Sequence, residues 1–319
     1  MSGNGGGGYR FDRALSLIVG KGGDAVEITD LRVTFDIVKD AGKNTNKSQI
    51  QIWNLASNTR KAMERPDVRC SLKAGYVEES GPIEVFVGDV LFGWSRFEGP
   101  DVITTLELGD GAKAIRDGVV SLGYAKGSGA KAALRDVAGK MGLPVSMPSD
   151  LEDKPFTAGF SNYGSGRTAL DKITKHAGWA WSVQSGVLQV VGPAGTNNRT
   201  VVDLAVDSGL IGHPERQRRG SHEAIRVEEA GTKAKKRAAS ATEQWDGWRV
   251  RSLLLPAIQP ADRIKLSSRT VDALLTVRKV RHTGDTHAGD WISELELLDP
   301  AERPKTVTVP GKATPAAKK

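Results

Sequence analysis

Apolar residues recur at every second position in a series of short segments through the first third of the chain. Leu15, Leu17 and Val19 alternate with their neighbours. Leu31, Val33, Phe35 and Ile37 do so over a longer stretch, with Arg32, Thr34 and Asp36 on the other side. Ile50 and Ile52, the run from Val68 to Tyr76, the sets Ile83, Val85, Val87 and Val90, Phe92, Trp94, and finally Val102, Thr104, Leu106 and Leu108 continue the pattern. A period of two puts successive side chains on opposite faces, so each segment predicts a strand with one face to bury. Turn residues separate them at Ala41-Gly42-Lys43-Asn44, Glu79-Ser80-Gly81-Pro82 and Glu98-Gly99-Pro100. Gly88-Asp89, set between two alternating runs, predicts a tight hairpin. A short helix is expected after Leu55, capped by Ser57 or Asn58 and stopped by Pro66. About seven strands with short turns predict a barrel or sandwich over residues 10–111.

The period changes over residues 112–192. Leu134, Val137, Ala138 and Met141 lie on one helical face, ended by Gly142 and Pro144. Leu170, Ile173 and Ala177 form a second, ended by Gly178. A hairpin follows, with Trp179, Trp181 and Val183 on one arm, Gln184-Ser185-Gly186 as the turn and residues 187–191 as the other arm. These elements predict a small α+β domain. The segment from Gly192 to Asn198 reads as a linker, after which strand signals return over 193–299: Val202, Leu204 and Val206; Ala224 to Val227; Trp248, Val250 and Ser252; Val271 to Val280; Trp291 to Leu298. The fold class expected is mainly β with an α+β insert, two β domains of similar size flanking the smaller mixed one. No residue-level repeat links the two, although the architecture looks duplicated. The Gly-rich residues 1–9 and the basic residues 300–319 read as flexible ends. Residues 229–244, with Lys233, Lys235, Lys236 and Arg237, read as a mobile basic loop; the competing reading is a loop that orders against a partner.

Composition narrows the function. No apolar run approaches the ~20 residues that span a bilayer, and the N-terminus lacks the apolar core of a signal peptide, so no membrane partner is expected and assembly in the cytoplasm is. Cys70 is the one cysteine, which excludes an intramolecular disulfide; it sits in an alternating apolar row as a strand-core residue. The net charge of +7 is concentrated at the C-terminus, where Arg303, Lys305, Lys312, Lys318 and Lys319 face Glu302 alone.

Candidate chemistry is sparse. His282, Asp285, His287 and Asp290 are close enough in sequence to suggest a metal set, but their intervening glycines mark a turn, and the aspartates are ordinary turn residues. Gly164-Ser165-Gly166 lacks nucleophile-elbow spacing and reads as a helix cap, as does Gly127-Ser128-Gly129, with Ser128 the capping residue. No catalytic residue, metal ligand or cofactor is assigned, and the protein is expected not to be an enzyme. Leu253, Leu254 and Leu255 read as chain core, with subunit interface the competing assignment that makes them interface candidates. Trp245 and Trp248, in a polar stretch, are further interface candidates.

Several segments also carry a family resemblance. Ile50-Gln51-Ile52-Trp53-Asn54-Leu55 with Ser57, Thr59 and Arg60, then Ala169 to Ile173, Gly178 to Val183 and Gly186 to Leu188, resemble successive parts of baseplate and tail hub proteins of long-tailed bacteriophages. So do Ser208 to Gly212 with Pro214 and Glu215, Leu254 to Pro256 through Ile264, and the turn from Gly284 to Trp291. The family is the late-control protein D-like hubs, related to the hub part of type VI secretion spikes. The resemblance implies two tube-like β-barrel domains and a homotrimer whose ring adapts a six-fold tail tube to a three-fold spike. The implied partners are a spike protein, a tail tube or tube-initiator protein, a tape measure protein, and baseplate wedge or other tail-tip proteins. The implied location is the tail baseplate of the virion. The alternatives are a tail-tip peptidoglycan hydrolase using an unrecognised acid pair, and a module that binds DNA or glycan through its basic loop and tail.

Overall fold

The alternation becomes strands almost throughout. The computed structural model describes residues 12–42, 46–65, 68–79, 81–197, 199, 201–219, 242–299 and 305–307. The first β region holds β1 (Arg13–Gly20), β2 (Val26–Ile28), β3 (Val33–Asp40), β4 (Lys47–Trp53), β5 (Arg69–Tyr76), β6 (Gly81–Glu98) and β7 (Asp101–Gly109), with helix α1 (Ser57–Met63) after β4. The middle region holds α2 (Ala112–Asp117), β8 (Val119–Tyr124), α3 (Ala130–Lys140), β9 (Val145–Ser146), β10 (Phe160–Ser165), α4 (Gly166–Ala177), β11 (Ala180–Gln184) and β12 (Val187–Val191). The last holds β13 (Val202–Leu204), β14 (Leu210–Arg219), β15 (Thr242–Leu253), β16 (Arg263–Ser267), β17 (Asp272–Asp285), β18 (Trp291–Leu298) and β19 (Lys305–Val307).

Each region fills its own hydrophobic core. In the first, Val33, Phe35 and Ile37 of β3 pack with Leu17, Ile50, Leu72 and Leu106. In the second, Leu134 and Val137 of α3 meet Leu170 and Ile173 of α4, with Trp181 and Leu188 beneath. In the third, Val250, Leu266, Val280 and Leu295 are buried together. Fully burying one such side chain contributes about 1.5–3 kcal/mol.

Several expectations need correction. Gly88-Asp89 is no hairpin: β6 runs through it without a break. A Cβ at Gly88 would lie 2.5 Å from the Phe86 ring and 2.7 Å from the Gly109 carbonyl, so glycine there allows close packing rather than a turn. Neither Ser57 nor Asn58 caps α1; the cap position is Ala56, without a side-chain bond. Ser128 does not cap α3 either. The cap position is Gly129, and Asp153 accepts the Lys131 N–H at 3.0 Å from across the loop. Ser165 does hold the cap position of α4, though its hydroxyl makes no cap bond. Gly178 ends α4 in the left-handed conformation at φ 72°, as predicted. The turn at Ser185-Gly186 takes φ 51° and 74° between β11 and β12. Residues 1–9, Ala224 to Val227 and most of the basic loop lie outside the described residues. Thr242, Glu243 and Gln244, assigned to that loop, instead pair with Val307, Thr306 and Lys305 of the supposed tail.

The strand order repeats. In the first region it is β3-β4-β7-β6-β5-β1; in the last it is β14-β15-β18-β17-β16-β13, with each strand in the same place along the chain. One ladder differs in sense: β1 and β5 are antiparallel, β13 and β16 parallel. The two regions join where β17 pairs antiparallel with β3, from Lys279 opposite Asp40 to Asp285 opposite Thr34, making one 14-stranded sheet. The mainly β reading holds, but the strands form an open path and close no barrel among the described residues. The second half of β17 pairs with β3.

Candidate assembly face and buried junction

The β3–β17 joint creates one sheet face that neither half has alone. On its outer side lie Gln49 and Gln51 of β4, Thr34 and Asp36 of β3, Arg281, Thr283 and Asp285 of β17, Glu294 of β18, and Arg249 and Arg251 of β15, neighbours by register. Opposite charges are interleaved along it. Arg281 forks onto Asp36 at 2.6 and 2.7 Å across the joint. Arg32 reaches Asp285 at 2.8 Å and stacks on Trp53 at 4.5 Å, and Arg249 reaches Glu294 at 3.1 Å. The Asp36 pairing holds the Arg281 guanidinium above its ordinary value. Because these pairs are half-exposed, each contributes little stability; their effect is to fix register and present a wide polar surface.

Behind the face, a buried polar cluster ties the three regions together. Lys39, on the core side of β3, is fully buried and donates to Ser185 Oγ at 3.2 Å. Asp110, just after β7, accepts the Ser185 and Gly186 N–H groups at 2.7 and 2.9 Å. Gln184 donates to the Asp40 carbonyl and Gln189 to that of Pro260, binding the hairpin to both β regions. Burial pushes the Lys39 ammonium down to about 8, against the pull of Asp110. Burial likewise pushes Asp110 up to about 6, opposed by its two N–H donors. A buried charge is tolerated only with partners, so this cluster fixes where the hairpin sits.

The residues set aside as a metal set are divided between the two faces of the sheet. His282 lies on the core side of β17 and Asp285 on the outer side. His282 Nδ1 is 2.8 Å from Ser293 Oγ, and burial pushes its imidazole down to about 3, so it stays neutral. Asp285 accepts from Arg32 and from the His287 N–H, a turn bond of the expected kind. Cys70 is buried and its thiol pushed up to about 12.

Of the interface candidates, Leu254 fills the first core and Leu255 the third, so both are buried within the chain. Leu253 and Trp248 are partly buried against those same cores. The side chain of Trp245 lies outside the described residues. Sequence reasoning missed Lys39 and Asp110. Lys39 continues the apolar row Val33, Phe35, Ile37 in phase, which was a readable sign of a buried lysine.

No family model and no curated protein matches the chain. Solved structures do match in fold. A 43 kDa tail protein of prophage MuSo2 from Shewanella oneidensis superposes with a TM-score of 0.60 at 11% identity, covering 91% of this chain and 100% of that one. A tail protein from Neisseria meningitidis MC58 gives 0.60 at 12%, covering 91% and 97%. An E. coli component of the type VI secretion system, described as similar to the T4 bacteriophage tail proteins gp27 and gp5, gives 0.52 at 9%, covering 96% and 81%. The chain therefore shares the fold of phage tail and related secretion proteins over nearly its whole length.

Proposed function

We propose that this chain is a non-enzymatic structural subunit of a phage tail, and within it the baseplate hub. Three copies form a ring whose six β halves meet a six-fold tube on one side and a three-fold spike on the other. The observation that carries this reading is the repeated strand order within a single sheet. A chain with two like halves gives six near-equivalent positions from three copies, which is what an adaptor between six-fold and three-fold partners requires. The tail proteins sharing the fold support the setting. The gp27- and gp5-like secretion component supports a spike protein as one partner. Tube or tube-initiator, tape measure and wedge proteins are the others.

Each half spans residues 10–111 or 193–299, and residues 112–192 form the insert between them. Each half is barrel-like once its edges are covered in the ring. Of the interface candidates, Leu253 and Trp248 retain exposed surface for such contacts. Light scattering on the purified full chain, alone and with its spike, tests the reading. A mass of three chains is expected for the chain alone, or of three chains plus the spike for the mixture. A single-chain mass in both, or cell-wall cleavage by the purified protein, would overturn it.

A further inference from the structure

We infer that the middle region, residues 112–192, is a hinged body that swings about the tip of its β11–β12 hairpin while the 14-stranded sheet keeps its place. The inference stands whether or not three copies form a ring.

The middle region keeps its apolar core to itself. The cluster of buried side chains running from Val120 to Val190 contains no residue of either half. The halves are not separate in this way, since Leu254 and Trp291 of the last are buried in the core of the first. Hydrogen bonds join the middle region to the halves. Ser185 and Gly186 at the hairpin tip donate to Asp110, Gln184 to the Asp40 carbonyl and Gln189 to the Pro260 carbonyl. The Lys113 N–H donates to Asp89 at 2.9 Å. A polar interface with no shared apolar core leaves relative motion of the joined bodies as the default.

Open space lies on two sides of that interface. A cleft of about 430 Å³ lies between Trp179 and Ala180 on one wall and Thr276, Arg278 and Leu298 of the last half on the other. A second, of about 410 Å³, lies between Lys140 and Gly142 of the middle region and Arg69 and Gly88 of the first half. Rotation about the hairpin tip closes one cleft and opens the other. The chain enters and leaves the region through glycine: Gly111 takes φ 60°, and Gly195, just past Gly192-Pro193, takes φ 71°. Short connections of this kind absorb the dihedral changes of a hinge.

The docked position is also incompletely satisfied. Gln184 Oε1 and Thr276 Oγ1 are buried at this junction with no hydrogen-bond partner among the described residues. Unpaired buried groups work against docking, and a swing that opens the cleft at Thr276 returns its hydroxyl to water.

Distances between spin labels on introduced cysteines of the full chain test this. Ala132→Cys in α3 is paired with Lys47→Cys in β4 and, separately, with Arg269→Cys beyond β16, all three exposed positions. Lys47→Cys with Arg269→Cys is the control between the halves. Cys70 is buried and takes no label. Labelled chains are diluted into unlabelled ones, so that only distances within one chain are read. Both Ala132 distances are expected to be more broadly distributed than the control. They should broaden further with Gln184→Ala and Gln189→Ala together, which leave the control unchanged. A shifted control would mean that the double substitution damages the halves, and Gln189→Ala alone then takes its place. Ala132 distances as narrow as the control, or unmoved by loss of the glutamine bonds, overturn the hinge.

Discussion

The two β halves are built on one strand order but are finished differently. The first carries helix α1 where the last has only the turn residues from Pro256 to Ala261. At one matching place, Ser95 Oγ meets Thr104 Oγ1 at 3.1 Å in the first half, and His282 meets Ser293 at 2.8 Å in the last. The polar pair survives with different residues, which shows that ladder position, rather than residue identity, is what the halves share. The largest difference is at the edge of the longest strand: β17 is covered by β3, and β6 is left open.

The largest loss of stability is expected at the cluster holding the halves and the hairpin together. Asp110→Ala strands the Ser185 and Gly186 N–H groups and removes the opposite charge that acts most strongly on buried Lys39. It is expected to cost about 3–5 kcal/mol in urea unfolding, with Asp110→Asn milder. Next is Gly284 at the joint, where a Cβ would lie 2.3 Å from the Phe35 ring. Gly284→Ala should cost about 2–3 kcal/mol. Phe97→Ala, at the matching place in the first half, should change the unfolding of the single chain by less than about 0.5 kcal/mol. Similar losses from both would refute the view that one edge is covered and the other open.

A pH series separates the contributions of His282 and Asp110. His282 has its folded value depressed from 6.5 to about 3, so its contribution is present above pH 6.5 and is lost as pH falls toward 3. Asp110 is raised from 3.8 to about 6, so its contribution is present below 3.8 and is lost as pH rises through about 6. Replacing His282 by the residue of the first half, His282→Ser, leaves the Asp110 effect in place. It should remove up to about 2 kcal/mol of the destabilisation between about pH 6.5 and 5. Parallel pH curves for the two proteins would show that His282 does not titrate on unfolding. Asp36→Asn, at the half-exposed ion pair across the joint, should cost less than about 1 kcal/mol, shrinking further in high salt.

Much of this fold was legible because its strands alternate cleanly. The helices of the middle region were equally readable, since Leu134, Val137 and Ala138 carry the 3.6-residue period and Gly142 and Gly178 stop them. Gly88-Asp89 misled because glycine next to aspartate has the composition of a turn, whereas this glycine lets two strands approach. The β17–β3 joint left no local trace, since pairing between residues more than two hundred apart is set by tertiary packing and not by pattern. β14 was missed because His213, Pro214, Glu215 and Arg216 show no apolar alternation on a strand exposed along much of its length. The buried cluster was partly legible, through a lysine sitting in phase with an apolar row.

The proposed ring places six like halves from three copies around one axis. An end-on electron-microscopy projection of the assembled particle, with this chain labelled, addresses it most directly. Three labels on a threefold ring that shows six strand-rich lobes is the predicted result. One label, two labels, or three labels with no threefold relation would contradict it.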